Sequence, residues 1–426
     1  MSGELEGSGR RRFPPRSSSV REARRMIREC LVEAGREDLV DTAELLVSEI
    51  VTNALVHAGT YIDVAFTFVS GGLRVEVTDG SPHAPTVRGY GPSAGTGRGL
   101  MLLEQMVDDW GVVPDEPGKT VWFQIAAGGG PSERSEGPLR AQPRAAQALD
   151  VQLLDVPLLL HEAWRQHAES LLREYLLATL DEDSADDPII AHAQASDAIA
   201  LLAEHIPPSG VTEDPDEVMV TATEPLVTSP LVEIPVPVAS VQHFATLERT
   251  IVTALDMAEG GLLLTPPTQP EVQGLRAWLC GQVLSQSEGA SPVPWSSTHD
   301  PVARYVHTLA WDTGPVRDSA VAMLAVDDED RIVAASARAL ELLGYDATGG
   351  LVGRRLVTMI PERYRQAHLA GFTLHFLTGR ATLVGRPVVV PALRREGDEV
   401  EVEMTIRTDR AGDGRTVFVA ELSPVA

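Results

Sequence analysis

Apolar and polar residues follow three patterns along this chain of 426 residues, and the first pattern occupies residues 17–127. Apolar residues recur there at helical spacing in Asp41–His57 and alternate with other residues in Ile62–Phe68 and Leu73–Val77. These two periods predict an amphipathic helix and a β-hairpin. Together with a returning strand over Lys119–Ile125, they predict an α/β sandwich.

The second pattern is helical and covers residues 149–287. Its apolar stripes predict an all-α region whose helices share a core. Residues 207–238 interrupt the stripes with Pro and acidic residues and are predicted to form a loop. Segments rich in Gly, Ser and Pro predict linkers at 128–148 and 288–314, and residues 1–16 are predicted to be a disordered tail.

The third pattern mixes both periods at residues 315–423. A hairpin around Asp327–Asp330 is followed by short helical stretches and then by three strand-like runs, which predicts an α+β domain. The sequence therefore predicts a multidomain protein, in which an α/β sandwich is followed by a helical middle region and an α+β domain.

Charge narrows the range of partners, because the net charge is −26. Between Asp150 and Asp300 there are 24 acidic residues against four arginines, an excess of 20 negative charges. Such a surface repels a phosphate backbone, so direct nucleic-acid binding is not expected. Among the 35 basic residues, Lys119 is the only lysine, which indicates that this position needs a compact ammonium group.

The apolar runs and the cysteines indicate the compartment. No run of about 18 uncharged apolar residues occurs, so no membrane helix is expected. The first residues have arginines without a following apolar stretch, which disfavours a secretory signal. Cys30 and Cys280 lie far apart in the sequence, and so low a cysteine content is typical of a reducing cytoplasm.

The chemistry-bearing residues of the first third suggest a nucleotide site. Glu49 and Asn53 are four residues apart and share one face of the predicted helix. An amide oxygen is a suitable Mg²⁺ ligand, and a carboxylate one turn away can deprotonate an attacking hydroxyl. Asp79 ends a predicted strand, where its carboxylate can accept the exocyclic amine of adenine, and Gly80 follows it. A Gly-rich loop then enters a helix and offers backbone N–H groups to phosphates; its residues are Gly95, Gly97, Arg98, Gly99 and Leu100.

These motifs resemble those of the GHKL ATPase family, and within it the anti-sigma-factor serine/threonine kinases of bacterial partner switching. The resemblance covers about residues 17–127 and rests on ELLVSEIVTNALVHAG, VEVTDGSP, GTGRGLMLLEQMVDDWGV and GKTVWFQI. It implies a Bergerat fold that binds ATP and Mg²⁺. Asn53 would hold the Mg²⁺ and Glu49 would be the catalytic base. Asp79 and Thr120 would lie at the adenine, the glycines would form the lid, and Lys119 and Arg98 would contact phosphates.

Two departures from the family pattern affect which activity is expected. The Asp79-Gly80-Ser81-Pro82 segment lacks the second Gly of the fuller motif, and the sequence before Glu49 has no phosphoacceptor histidine box. The second departure disfavours a histidine autokinase and favours transfer to Ser or Thr of a STAS-domain anti-sigma antagonist, with a sigma factor as a further expected partner. The first leaves open a non-catalytic ATP-binding sensor or scaffold. A PP2C-type phosphatase is rejected, because neither the middle nor the C-terminal region has room for that domain.

The C-terminal block resembles a PAS domain, on the strength of AMLAVDDEDRIVAASARALELLGYDATGGLVGRRLVTMIP and RREGDEVEVEMTI. The resemblance implies a sensor that often dimerises, so a homodimer is expected. His368 stands where rhizobial oxygen sensors carry a haem-ligating histidine, although Val388 replaces their distal Arg. A structural histidine, a haem ligand and a flavin or apolar-ligand site are the alternatives.

Overall fold

The computed structural model describes most of the chain. The described residues are 7–16, 18–58, 61–69, 72–80, 106–107, 109–115, 118–126, 148–179, 187–211, 220–296, 309–346, 350–379, 383–412 and 414–425. Two compact units emerge from their arrangement. One comprises the described residues of 1–149, 172–201 and 235–254, and the other those of 150–171, 202–234 and 255–426.

A five-stranded antiparallel sheet with two helices forms the N-terminal domain. Its elements are β1 Ser8–Phe13, α1 Ser18–Glu33, α2 Val40–Ala58, β2 Ile62–Val69, β3 Gly72–Asp79, β4 Asp109–Asp115 and β5 Gly118–Ala126. The strand order is β1-β2-β3-β5-β4. Leu46 and Ile50 of α2 share a buried core with Val75, Val77 and Phe123 of the sheet. This arrangement confirms the predicted α/β sandwich.

Strand β1 corrects the predicted disordered tail. Ser8–Phe13 pairs with β2 in antiparallel register, and Phe13 is completely buried. Arg12 donates to the Asp63 carboxylate from Nη2 at 2.8 Å and from Nε at 3.2 and 3.3 Å. The arginines of this segment therefore lie along an edge strand, where charged side chains are common.

The middle region is mainly helical, as predicted, and also contains a two-stranded sheet. Its elements are β6 Ala148–Pro157, α3 Leu158–Thr179, α4 Asp187–His205, β7 Thr228–Pro237, α5 Val241–Glu259 and α6 Pro270–Ser287. Strand β7 lies in the segment predicted to be a loop. Val232, Ile234 and Val236 alternate inward in it, and its prolines are tolerated because a strand of a two-stranded sheet has a free edge.

The C-terminal domain is an antiparallel sheet with helices packed on it, as predicted. Its elements are α7 Gly314–Arg317, β8 Ala322–Asp327, β9 Ile332–Ala335, α8 Ala337–Leu342, α9 Glu362–Thr378, β10 Pro387–Leu393, β11 Glu399–Arg410 and β12 Thr416–Pro424. The strand order is β10-β11-β12-β8-β9. Leu324, Val326, Val402 and Leu422 of the sheet form a core with Leu343, which follows α8.

Candidate functional site

Helix α2 presents the two residues expected to handle the phosphate end of a nucleotide. Glu49 and Asn53 are both half-buried, while the intervening Ile50 and Val51 and the adjacent Ala54 pack into the core. Because four residues make about one helical turn, the carboxylate and the amide lie one above the other on the same face. The helix therefore holds both groups at the edge of the core, where a ligand can reach them.

The end of strand β3 presents a buried carboxylate. Asp79 is 4% exposed, and Lys119 of β5, which lies opposite it in the antiparallel register, is 6% exposed. Lys119 Nζ donates a hydrogen bond to Asp79 Oδ1 at 3.0 Å. The expected adenine acceptor and the expected phosphate ligand are therefore joined in one buried ion pair.

Thr120 lies on the other side of the sheet from that pair. Successive residues of a strand point to opposite faces, and the Oγ1 atoms of Thr78 and Thr120 lie 2.7 Å apart, within hydrogen-bond distance. The structure thus brings Lys119, and not Thr120, to Asp79. The expected placement of Thr120 at the adenine does not match this geometry, because the register of β3 and β5 assigns even-numbered residues to the half-exposed face.

The expected lid residues Gly95, Gly97, Arg98, Gly99 and Leu100 lie outside the described residues. Gly80 is described and directly follows β3. The structure therefore describes the end of β3 and the face of α2, while the adenine contact, the Mg²⁺ contact and the phosphate cradle all stay predictions.

The described residues fit a magnesium nucleotide in their donor chemistry. Asn53 offers an amide oxygen, a hard ligand of the kind that Mg²⁺ accepts beside phosphate oxygens and water. Glu49 offers a carboxylate on the same helical face, and Asp79 is an acceptor suited to an exocyclic amine. These groups come from two separate stretches of the sequence, helix α2 and the end of strand β3, and belong to one domain.

A second polar site lies inside the C-terminal domain and involves His368 of α9. Its Nε2 atom lies 2.7 Å from Oδ1 of Asp330, which is completely buried. Asp330 Oδ2 also accepts a hydrogen bond from the Val357 backbone N–H at 3.2 Å. The arrangement matches the structural-histidine alternative, since the nitrogen that an iron would need is hydrogen-bonded to a carboxylate. The haem-ligand role of His368 stays a prediction.

Arg355 extends this network to the helical region of the same compact unit. Its guanidinium pairs with Glu271 of α6 and donates to Gln269 Oε1 at 2.6 Å. It also lies 3.5 Å from Asp330 Oδ2. All of these side chains except His368 are at least nine-tenths buried.

The sequence alone did not predict the Lys119–Asp79 ion pair or the network around Asp330 and Arg355. The isolated lysine was a usable signal for Lys119, because a single lysine among 34 arginines suggests a special requirement. Its partner depended on strand register. Asp330 and His368 lie 38 residues apart, and Glu271 and Arg355 lie 84 apart, so no local pattern connects them.

Two segments of the chain match models of known families. Residues 13–125 match the histidine kinase-like ATPase domain, and residues 316–374 match the PAS domain. The chain is thus a multidomain protein with a histidine kinase-like ATPase domain of the GHKL type at its N-terminal end and a PAS domain at its C-terminal end. The resemblance of both segments is confirmed at this level.

Individual relatives are distant or cover a small part of the chain. An uncharacterized protein of Azorhizobium caulinodans is 34% identical over 104 residues, which are 24% of this chain and 14% of that protein. This chain therefore matches about one seventh of that relative's length.

Several solved structures of PAS and LOV proteins are also similar to the chain. The PAS domain of an HTR-like protein from Haloarcula marismortui is 19% identical, with 26% of this chain and 88% of that chain covered and a TM-score of 0.22. The PAS domain of nitrogen regulation protein NR(II) from Vibrio parahaemolyticus is 19% identical, with coverages of 26% and 96% and a TM-score of 0.20. A LOV protein of Rhodobacter sphaeroides is 18% identical, with coverages of 27% and 64% and a TM-score of 0.23.

Within the part of the chain that the structure describes, no helix combines the length and the apolar character needed to cross a bilayer.

Proposed function

We propose that this protein is an ATP-dependent serine/threonine protein kinase of the GHKL type, which modifies a STAS-domain anti-sigma antagonist under the control of its PAS domain. The observation that carries the proposal is the paired presentation of Glu49 and Asn53 on one half-exposed face of α2. The match of residues 13–125 to the histidine kinase-like ATPase domain supports it. Sigma-factor binding is part of the same proposal, because such regulators exchange one protein partner for another.

In the proposed reaction, the hydroxyl oxygen of a partner's Ser or Thr attacks the γ-phosphorus of ATP. A new P–O bond forms, the bond between the γ-phosphorus and the bridging oxygen breaks, and ADP leaves. Glu49 accepts the hydroxyl proton. Asn53 would hold the Mg²⁺, whose positive charge offsets the charge of the phosphates when it is bound. Asp79 orients the ATP molecule by accepting a hydrogen bond from the exocyclic amine of its adenine.

The kinase is tested by phosphotransfer. The purified full-length protein is mixed with Mg-ATP and with each STAS-domain protein encoded in the same genome, and phosphoserine and phosphothreonine are measured by mass spectrometry. Glu49→Gln keeps the side-chain size and removes the base, so we expect a loss of rate of about 100-fold or more. The matched control is Glu33→Gln, which changes an exposed carboxylate at the end of α1.

A partner modified by the wild type and by Glu33→Gln, but not by Glu49→Gln, would establish the kinase and its base. Equal phosphotransfer by Glu49→Gln would overturn the role of Glu49.

The second candidate is a non-catalytic ATP-binding sensor or scaffold. It is favoured by the shortened motif Asp79-Gly80-Ser81-Pro82, which lacks a glycine of the fuller family pattern. In that case ATP would bind and would raise the melting temperature, while no STAS protein becomes phosphorylated. Sigma-factor capture in the presence of ATP would then be the activity to measure.

A further inference from the structure

The only lysine of the chain is placed on the carboxylate expected to recognise adenine. Lys119 and Asp79 face each other across neighbouring strands, with 3.0 Å between Nζ and Oδ1. Both side chains are more than nine-tenths buried. A buried ion pair is retained at a cost in desolvation, so its position beside the expected nucleotide site calls for a functional explanation.

The backbone beside the pair is tightly packed. A Cβ atom placed on Gly118 would lie 1.7 Å from the carbonyl oxygen of Asp79, so position 118 requires a glycine. An ammonium group is a compact charge on a flexible stem, whereas a guanidinium is a broad planar fork. Lys119 therefore brings a compact charge to Asp79, in a chain whose 34 other basic residues are arginines.

We infer that Lys119 is a positioning residue that sets the base specificity of the nucleotide site by keeping Asp79 a fixed, ionised hydrogen-bond acceptor. The inference rests on the proposed binding of ATP. A carboxylate has about four acceptor positions, so the contact with Lys119 is compatible with a further donor such as the 6-amino group of adenine. It places Lys119 at the base end of the site, in contrast to the phosphate contact expected from the sequence.

Asp79 can distinguish purine nucleotides by whether position 6 of the base donates or accepts a hydrogen bond. An ionised carboxylate only accepts hydrogen bonds, so it favours a 6-amino purine and opposes the 6-oxo group of hypoxanthine or guanine. Without the nearby ammonium, the buried Asp79 carboxylate would lose the positive charge that Lys119 supplies to its ionised form. A protonated carboxyl can donate to a 6-oxo group, so discrimination between the two classes of purine would relax.

The test measures binding of ATP and of inosine triphosphate to the full-length protein by calorimetry, with Mg²⁺ present. We expect the wild type to prefer ATP. Lys119→Met should weaken ATP binding by about tenfold, a loss typical of a charged hydrogen-bond network, and should lower the ATP-to-inosine-triphosphate affinity ratio by a similar factor. Arg12→Met is the matched control, because it removes an ion pair with Asp63 from the same sheet without touching Asp79.

Two further variants, Lys119→Gln and Asp79→Asn, distinguish an effect of Lys119 on Asp79 from a general loss of folded protein. If Lys119→Met does not fold, Lys119→Gln takes its place, since it keeps the length of the side chain and removes the charge. In an Asp79→Asn background, replacing Lys119 should leave the affinity ratio unchanged, because Lys119 acts only through the carboxylate.

The outcomes separate the two proposals. A wild type that binds neither nucleotide would overturn the proposed ATP site itself. A wild type that prefers ATP, with the same ratio retained by the Lys119 variants, would overturn the role of Lys119 alone, even if those variants melt earlier. A lowered ratio that depends on Asp79 would establish that role.

Discussion

At the scale of single residues, His161 of α3 is held neutral by its surroundings. It is 4% exposed and its ring lies 5.5 Å from that of Trp164, measured between centroids. Burial lowers its pKa to about 4. Its Nε2 atom has no hydrogen-bond partner among the described residues. The protein therefore stabilises the uncharged imidazole only.

This environment predicts a pH dependence of stability. The unfolded chain protonates His161 near pH 6.5, whereas the folded chain does so near pH 4. Between these values the unfolded state binds more protons, so the free energy of unfolding falls as the pH is lowered from 6.5 towards 4, by about 2 kcal/mol at pH 5. His161→Phe should remove this part of the slope in melting experiments between pH 4.5 and 7.5.

Comparing the wild type with His161→Phe isolates the contribution of this histidine to the pH dependence of stability. Burial raises the pKa of Asp327 to about 6, so that residue contributes a slope of the opposite sign over the same range. His205→Phe, at the end of α4, serves as the control, since that histidine is half-buried. A His161→Phe protein with the pH slope of the wild type would show that the folded state accepts the imidazolium.

At the scale of elements, α9 uses two faces for two purposes. On one face, His368, Phe372 and Phe376 form a series of ring contacts, and Phe372 lies 5.6 Å from Phe418 of the sheet. On the other face, the buried Gln366 and Thr373 meet the helical region of the same compact unit. This helix of the PAS domain therefore also packs against the helical region.

Gln366 gives a prediction at this scale. Its Oε1 accepts a hydrogen bond from the Leu159 backbone N–H at 2.8 Å, and its Nε2 donates to Glu224 Oε1 at 2.6 Å and to Thr228 Oγ1 at 3.2 Å. Gln366→Met keeps the volume and removes all three bonds, which should cost about 1–3 kcal/mol of stability.

The measurement is chemical denaturation of the full-length protein, with Gln242→Met as the control because Gln242 is exposed. Equal stability of Gln366→Met and the wild type would mean that water replaces the three bonds without loss.

The strands show how far the sequence predicts the fold. Alternating Ile62, Val64 and Phe66 identified β2, because one face of the strand must meet the core. The same rule missed β1 and β7, whose arginines and prolines are typical of tails and loops, since their pairing is a tertiary effect. Glu49, Asn53 and Asp79 were predicted from the sequence as nucleotide contacts, and those roles stay predictions. The contact of Asp79 with Lys119 needed the register of β3 against β5, which no local pattern contains.

At the scale of the whole molecule, charge is the dominant property. The net charge is −26, and the segment between Asp150 and Asp300 has 20 more negative than positive charges. Mutual repulsion of like charges disfavours the compact state, and added salt screens it within a Debye length of about 10 Å at 0.1 M.

Raising sodium chloride from 50 to 500 mM should therefore raise the melting temperature, by about 2–4 °C for each kcal/mol of repulsion relieved. Thermal melts across this range check the expectation, with sucrose as an uncharged co-solute control. A melting temperature that falls with salt would show that ion pairs such as Arg28–Glu44 outweigh the repulsion.

The docked face of α9 limits how this PAS domain can be exchanged between proteins. A graft cut within the predicted linker 288–314 would carry Gln366 and Arg355 away from Glu224, Gln269 and Glu271, which remain behind. The transplanted PAS domain would then expose a polar face shaped for a partner that its new host lacks. The smallest portable piece is therefore the PAS domain together with the strands and helix ends that hold it, so recombination would have to move both at once.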